Sequence, residues 1–488
     1  MKLAITGSPI KGLLPGISTV LLTLTTAGYA CADKLQENES QLQLKLHNYY
    51  QDRGPRDPGD SYIEKSSGRT VETQKEQQAW GQAAELNFGS QWFGVRHASG
   101  GLDASLYGGL KLVGQDDQYG TTVLKEAPLL FNSTQHQYRS AQSSYVKVGQ
   151  LYVKGFAGEE GMKVNAKAGW HRIERPLMRT TSRMTPTTFQ GVSLDAEAGP
   201  YDFYGSWYNR VSRHNHDRFE PLAIRTAGEE NSRQQTIEHA YTLGGSFNHE
   251  KGLGSQLAYA ESASYLKLYY ASLNYLFKIT PGTHLLLEGR YYKGQENGSH
   301  WKTPAKTYGG FDKDASLYNL NTRMTVDSIS LKASFSQVEA EKQQSLGFFD
   351  YHLAYDGAHQ YDSQDYWTKR QISDFNYNGE KVWQAGVAYA FDQLGVLGLT
   401  LGYTYTRGND IKTNSPEYRE KYKESEHNLE LGYDFQQKEL KGLGLKLQYA
   451  QHYADKEISE VKNQDKEGYR NEGASDLRIY IDYSITIF

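Results

Sequence analysis

The run Trp170-His171-Arg172-Ile173-Glu174-Arg175-Pro176-Leu177-Met178-Arg179-Thr180-Thr181-Ser182-Arg183-Met184-Thr185-Pro186 sets Arg172, Arg175, Arg179 and Arg183 beside Glu174 in a stretch broken by two prolines. Guanidinium groups hold anions and hydrated solutes through charge and paired hydrogen bonds. They break no bonds. Two placements are open from composition alone. Folded into a channel, the arginines and Glu174 would form a narrow zone that selects by charge; left on the surface, they would be solvated or paired with phosphates.

A second basic set, Lys111, Lys147, Lys163, Lys167, Arg290, Lys332 and Arg478, falls on the polar parity of separate alternating segments. It would form a track along a wall, unless Glu288, Glu430 and Asp482 on the same kind of position neutralise it locally. Tyr107, Trp170 and Tyr480 are the aromatics whose faces could stack on sugar rings. Most of the 38 tyrosines are better placed as membrane-interface residues. Catalysis finds no support: the chain has no G-x-S-x-G elbow and no metal-spaced histidine cluster, and His214-Asn215-His216 reads as a solvated pair in a polar loop. No catalytic residue, metal or cofactor is expected.

The elements that must position these residues are strands. Leu477-Arg478-Ile479-Tyr480-Ile481-Asp482-Tyr483-Ser484-Ile485-Thr486-Ile487-Phe488 has apolar side chains at every odd position, so one face suits lipid and the other a wet lumen. Phe488 alone breaks the parity. Leu42 to His47, Leu102 to Leu112, Val146 to Val148, Val164 to Ala168, Val192 to Ala196 and Leu285 to Tyr291 alternate in the same way. So do Ile329 to Phe335, Val387 to Phe391, Leu399 to Tyr405, Leu429 to Phe435 and Leu445 to Tyr449. Short turns at 248–252, 280–282, 392–395 and 436–442 alternate with long polar segments at 51–70, 209–238, 295–314, 339–377, 408–426 and 455–473. Short turns on one side and long loops on the other are the pattern of a transmembrane antiparallel β-barrel of the bacterial outer membrane. Spacing gives about 18 strands, within a range of about 16 to 20.

Composition agrees. Hydrophobic residues make up 38% of the chain, and no apolar run approaches the ~20 residues a membrane helix needs. The net charge of −4 carries no nucleic-acid signature. Lys2, Lys11, the leucine-rich stretch after them and Ala30-Cys31-Ala32 predict a signal peptide over 1–32, with one barrel over 33–488. A rival reading makes Cys31 a lipidated residue. Cys31 is the only cysteine, so cleavage after Ala32 would leave none for a disulfide.

Met184-Thr185-Pro186-Thr187-Thr188-Phe189-Gln190-Gly191 resembles the motif that closes the constriction loop of OprD-type porins. Ala258-Tyr259-Ala260-Glu261 with Tyr269 to Tyr275 is similar to that family's mid-barrel strand pair. Asp374-Phe375-Asn376-Tyr377-Asn378-Gly379-Glu380-Lys381, with Thr486-Ile487-Phe488, resembles its chitoporin branch. The resemblance implies an 18-stranded barrel, monomeric or homotrimeric, whose third long loop, from His171 to Thr188, folds into the lumen with its arginines at the constriction. It implies passive uptake of small hydrophilic nutrients, chitin-derived oligosaccharides for the chitoporin branch, with a carboxylate or amino-acid porin as the alternative. Outer-membrane lipid and lipopolysaccharide would be its surroundings. A reading from another class is a barrel whose long loops serve adhesion or binding at the surface.

Overall fold

The computed structural model describes residues 39–488 apart from 115–122, 127–129, 140, 160, 181, 225–235, 249–251, 304–305, 308, 355–365, 416 and 419. The expected signal peptide with Cys31, and the centre of the turn at 248–252, lie outside the described residues.

Eighteen strands form one closed antiparallel barrel. They are β1 Gln41–Pro55, β2 Gln77–Gly89, β3 Ala98–Gly114, β4 Tyr145–Glu159, β5 Met162–His171, β6 Thr188–Ala198, β7 Tyr201–Ser212, β8 Ala240–Asn248 and β9 Leu253–Ser262. The second half is β10 Leu266–Thr280, β11 Thr283–Glu296, β12 Asp314–Val326, β13 Ile329–Glu339, β14 Lys381–Ala390, β15 Leu399–Ile411, β16 Tyr422–Asp434, β17 Leu443–Ala454 and β18 Gly473–Thr486. Each strand pairs with its neighbours, and β18 closes on β1 from Gln43↔Thr486 to Pro55↔Ala474. Closure leaves no unpaired sheet edge in lipid, which is the condition for strands to span a bilayer.

The alternation read from sequence is the one observed. Val146 is 65% exposed on the outer wall while Lys147 beside it is 4% exposed and points inward. The last strand stops at Thr486. The two residues beyond it still bond Leu42, with Ile487 N donating to Leu42 O at 2.8 Å and Leu42 N donating to Phe488 O at 2.9 Å. The parity break at Phe488 is therefore a strand end rather than a register fault.

Turns on one side are as short as 199–200, 281–282 and 327–328. Gly199, at φ +59°, supplies the left-handed conformation that a two-residue hairpin needs. The opposite side carries 56–76, 172–187, 213–239, 297–313, 340–380 and 455–472, with a short helix α1 at Lys456–Lys462. One connection on that side, 263–265, is itself short. Several strands run beyond the limits that alternation predicts, as β15 does to Ile411. Ladder hydrogen bonds continue above the membrane, where both faces are polar and alternation carries no signal.

The packed core lies inside the barrel, built from loop side chains packed on inward-facing residues of the wall. Ile173, Leu177 and Met178 of segment 172–187 join Leu222, Trp301, Phe311, Phe349, Leu353 and Tyr366 in one buried cluster. Met184, fully buried, packs with Tyr49, Ala79, Ala83, Val123 and Leu124 in a second. Burying a side chain of this size stabilises by roughly 1.5–3 kcal/mol. These apolar anchors hold segment 172–187 in the lumen and leave its polar residues to face what remains of the channel.

Candidate pore constriction

Arg172 follows the last residue of β5. Its guanidinium pairs with Glu85 of β2 and donates to the Tyr107 hydroxyl of β3 at 3.1 and 2.7 Å. Glu85 also bonds His47 Nε2 at 3.0 Å, and His47 Nδ1 meets Asp482 at 2.7 Å. A polar chain thus runs from β18 through β1 and β2 to the root of the loop. Arg183 donates to Gln51 Oε1 of β1 at 3.3 Å. Arg172, Glu174 and Arg183 line a cavity of about 1460 Å³ inside the barrel.

Arg175 and Arg179 are absent from that lining. Arg175 is buried against the wall, paired with Asp195 of β6 at 2.6 Å and stacked over the Tyr204 ring of β7 at 4.6 Å. Arg179 bonds Glu174 at 2.7 Å across the miniature hairpin in which Glu174 pairs with Arg179 and Arg175 with Met178. The expectation that all four arginines face the channel is corrected: two face it and two fasten the loop. The turn at Pro176-Leu177 reverses the chain, so spacing along the sequence cannot place every arginine on one side.

The expected basic track is also divided. Arg290, Lys332 and Arg478 line the cavity. Lys147 is buried beneath the loops, donating to Arg213 O at 2.6 Å and Pro186 O at 3.4 Å. Lys167 lies over the Tyr152 ring at 5.4 Å, and Lys111, Lys163 and Lys167 do not line the cavity. Inward parity was necessary for a place in the channel, but the loops cover part of the wall. Among the aromatics, Tyr480 lines the cavity beside Tyr49, with ring centroids 4.6 Å apart. Tyr107 is fully buried as the partner of Arg172. Trp170 takes the outward parity and stacks on Phe219 at 4.7 Å, so it has no place in the lumen.

The described parts of a second loop, 340–354 and 366–380, also fold inward, which alternation in the sequence does not report. Its segment from Tyr366 onward lies along the inner wall of β12 to β18. Trp367 N donates to Asn319 Oδ1 at 3.0 Å, Thr368 meets Ser336 at 2.8 Å, and Gln384 donates to Trp367 O at 2.6 Å. The Glu426 carboxylate accepts the backbone N–H groups of Gln371, Ile372 and Ser373 at 3.0, 3.2 and 2.9 Å. Arg478 donates to Gln371 O at 3.1 Å and pairs with Asp476 at 2.6 Å. The signal was a mixed aromatic and basic run, Trp367-Thr368-Lys369-Arg370-Gln371, inside a long loop, the same kind of composition that drew attention to 172–187.

This loop completes a cationic site. Arg323 of β12 and Lys332 of β13 are direct cross-strand partners and both line the cavity. Like charges set directly opposite one another destabilise a strand pair. The Arg323 guanidinium lies over the Trp367 ring at 4.5 Å, and Arg370 donates to Trp367 O at 2.6 Å while its Nε is buried without a hydrogen-bond partner. Among the described residues, no carboxylate lies within ion-pair distance of Arg323, Lys332 or Arg370. Several other lining cations are compensated: Arg290 by Glu288 at 2.8 Å, Lys446 by Glu430 at 3.3 Å and Lys369 by Asp374 at 3.6 Å. Twelve lysines and arginines line the cavity against seven acids. Such a lumen attracts anions and can exchange their hydration for guanidinium contacts without chemical change.

Comparison with known proteins accords with this architecture. The family model described as outer membrane porin, OprD family, matches residues 37–487. Porin D of Pseudomonas aeruginosa is 27% identical over 463 residues, 92% of this chain and 91% of that protein. Chitoporin of Escherichia coli is 24% identical over 282 residues, 55% of this chain and 57% of the other. The crystal structure of Acinetobacter baumannii OccAB4 superposes with a TM-score of 0.70 at 19% identity, covering 93% of this chain and 99% of its own. The chain is a member of the OprD family of outer membrane porins, a channel protein of the bacterial outer membrane and not an enzyme.

Proposed function

We propose that this porin admits small solutes bearing a carboxylate, and that Arg323, Lys332 and Arg370 over Trp367 are the point where the anion is read. The observation that supports this is that, among the described residues, no acid lies within ion-pair distance of these three neighbouring lining cations. A passing carboxylate relieves the repulsion between Arg323 and Lys332, pairs with a guanidinium fork and leaves again because the site is open to water. Arg172, Glu174 and Arg183 on the facing loop narrow the path and limit solute width.

A second reading, uptake of chitin-derived oligosaccharides, draws on the likeness to Chitoporin and on the lining faces of Tyr351, Tyr366, Trp367 and Tyr480. Neutral sugars gain stacking from these rings but little from uncompensated cations. The deciding experiment is single-channel recording of the refolded protein in a planar bilayer, with benzoate and then chitohexaose added. Transient block by benzoate together with anion selectivity is the expected result. Block by chitohexaose alone would transfer the assignment to oligosaccharides, and a barrel that conducts nothing would return it to surface binding.

A further inference from the structure

The outer wall of β14 to β16 carries a cationic patch that the channel does not use. Trp383 is 62% exposed on the outward parity of β14, while its neighbour Val382 is fully buried. Arg407 of β15 is the cross-strand partner of Trp383 and in turn of Ser425 of β16, and it shares the outward parity. Lys381 and Lys423, one pleat nearer the strand ends, face outward on either side of it. All three cations therefore stand on consecutive strands at the long-loop end of the barrel. An aromatic layer begins beside Arg407 and continues below it: Trp383 against Phe335 at 4.5 Å, Tyr405 against His427 at 4.7 Å, and the Tyr403 hydroxyl on His427 Nδ1 at 2.7 Å.

Aromatic belts mark the level at which acyl chains give way to headgroups. The layer above this belt on the long-loop side is the headgroup region of the outer leaflet. Lys381 shares Asp410 with Lys421, at 3.3 and 3.0 Å. Arg407 is held by Asn409, its Nε donating to Oδ1 at 3.1 Å, and its side chain is exposed on the outer wall. Among the described residues, neither Arg407 nor Lys423 has a carboxylate within ion-pair distance. Two uncompensated cations with a flat indole beside Arg407 complement a phosphate carried on a sugar ring.

We propose that this patch binds the phosphorylated sugar headgroup of an outer-leaflet glycolipid, of the lipid A type. Its phosphate would sit between Arg407 and Lys423, with a sugar face against Trp383. The test is native mass spectrometry of the purified barrel in detergent with added bisphosphorylated lipid A. The wild type is expected to retain it, and R407Q/K423Q to retain roughly thirtyfold less, since each cation near a charged lipid surface contributes on the order of 1 kcal/mol. R407K is expected to fall between them, because lysine keeps the charge and loses the fork. Dephosphorylated lipid A should bind the wild type no better than the double variant. K267Q/K293Q, which removes outward lysines from β10 and β11, should retain lipid A as the wild type does. Unchanged single-channel conductance shows that R407Q/K423Q is folded. The proposal is overturned by equal retention in R407Q/K423Q, by an equal loss in K267Q/K293Q, or by equal retention of dephosphorylated lipid A. It is likewise overturned if phosphatidylglycerol binds as tightly as lipid A, which would make the patch a general anionic-lipid surface.

Discussion

Neutralising the site at Arg323, Lys332 and Arg370 should change which ions cross the membrane, in an amount set by distance and salt. A unit charge about 8 Å from an ion in a partly aqueous lumen, with an effective dielectric constant of about 40, contributes roughly 1 kcal/mol. That is about a fivefold loss in anion partition for each cation removed and a like gain for cations, so R370Q alone should lower the anion-to-cation permeability ratio by about 25-fold. The reversal potential under a KCl gradient measures it. In ~0.1 M salt, where the screening length is about 10 Å, the shift should be full; in ~1 M salt, at about 3 Å, it should nearly vanish. R323Q/K332Q should add to it, and benzoate block should weaken in step. R175Q supplies the contrast, since Arg175 is held by Asp195 against the wall and should leave the reversal potential unmoved. An R370Q channel with wild-type selectivity, or an R175Q channel altered as strongly, would sink the assignment.

R175Q should instead loosen the loop, costing about 2 kcal/mol through the lost contact with Asp195 and lowering the temperature at which the barrel loses its compact gel mobility. M184A empties a fully buried site and should cost roughly 2–5 kcal/mol of loop anchoring, read as higher conductance and greater current noise; a quiet, unchanged channel would show that Met184 is not the anchor. Glu380, at the foot of the second inward loop, is held well above the usual carboxylate range by burial and then by the Glu424 carboxylate. Its folded pKa exceeds the unfolded one, so its contribution is fully present below the ordinary carboxylate pKa and is lost as pH rises through the raised value. Open-channel noise should therefore increase from acid toward alkaline pH, and E380Q should flatten the dependence; a wild-type channel equally quiet at every pH would contradict this.

Period-two alternation made the barrel legible because it reports a physical boundary: Val146 meets lipid and Lys147 does not. It could not report what lies in the lumen, since any inward residue reads as polar whether it meets water, a loop carbonyl or a solute. Lys147 and Lys332 look alike in sequence, yet one supports the carbonyls of Pro186 and Arg213 and the other faces the cavity. The proline-broken arginine run was readable as a loop, whereas its internal hairpin, which turns Arg175 and Arg179 away, depends on Asp195 and Tyr204 from strands reached only through folding. The anchor of the second loop was hidden for the same reason, because Glu426 is one acid among many until three backbone N–H groups converge on it.

Partners sort the lumen's cations into two kinds. Where a carboxylate is in contact, as for Arg175, Arg290 and Arg478, the cation fixes geometry, and replacing it should be read first in stability. Where none is found among the described residues, as for Arg323, Lys332 and Arg370, the fold bears a repulsion that a mobile anion would relieve. A barrel that needed merely to fill its wall could set an acid across from Lys332, as it sets Glu430 beside Lys446. Arg323 stands there instead, with Trp367 brought down onto it by a loop held from β12 to β18. The anchoring is extensive and the charge is left open, and that combination is what a site for a passing anion requires.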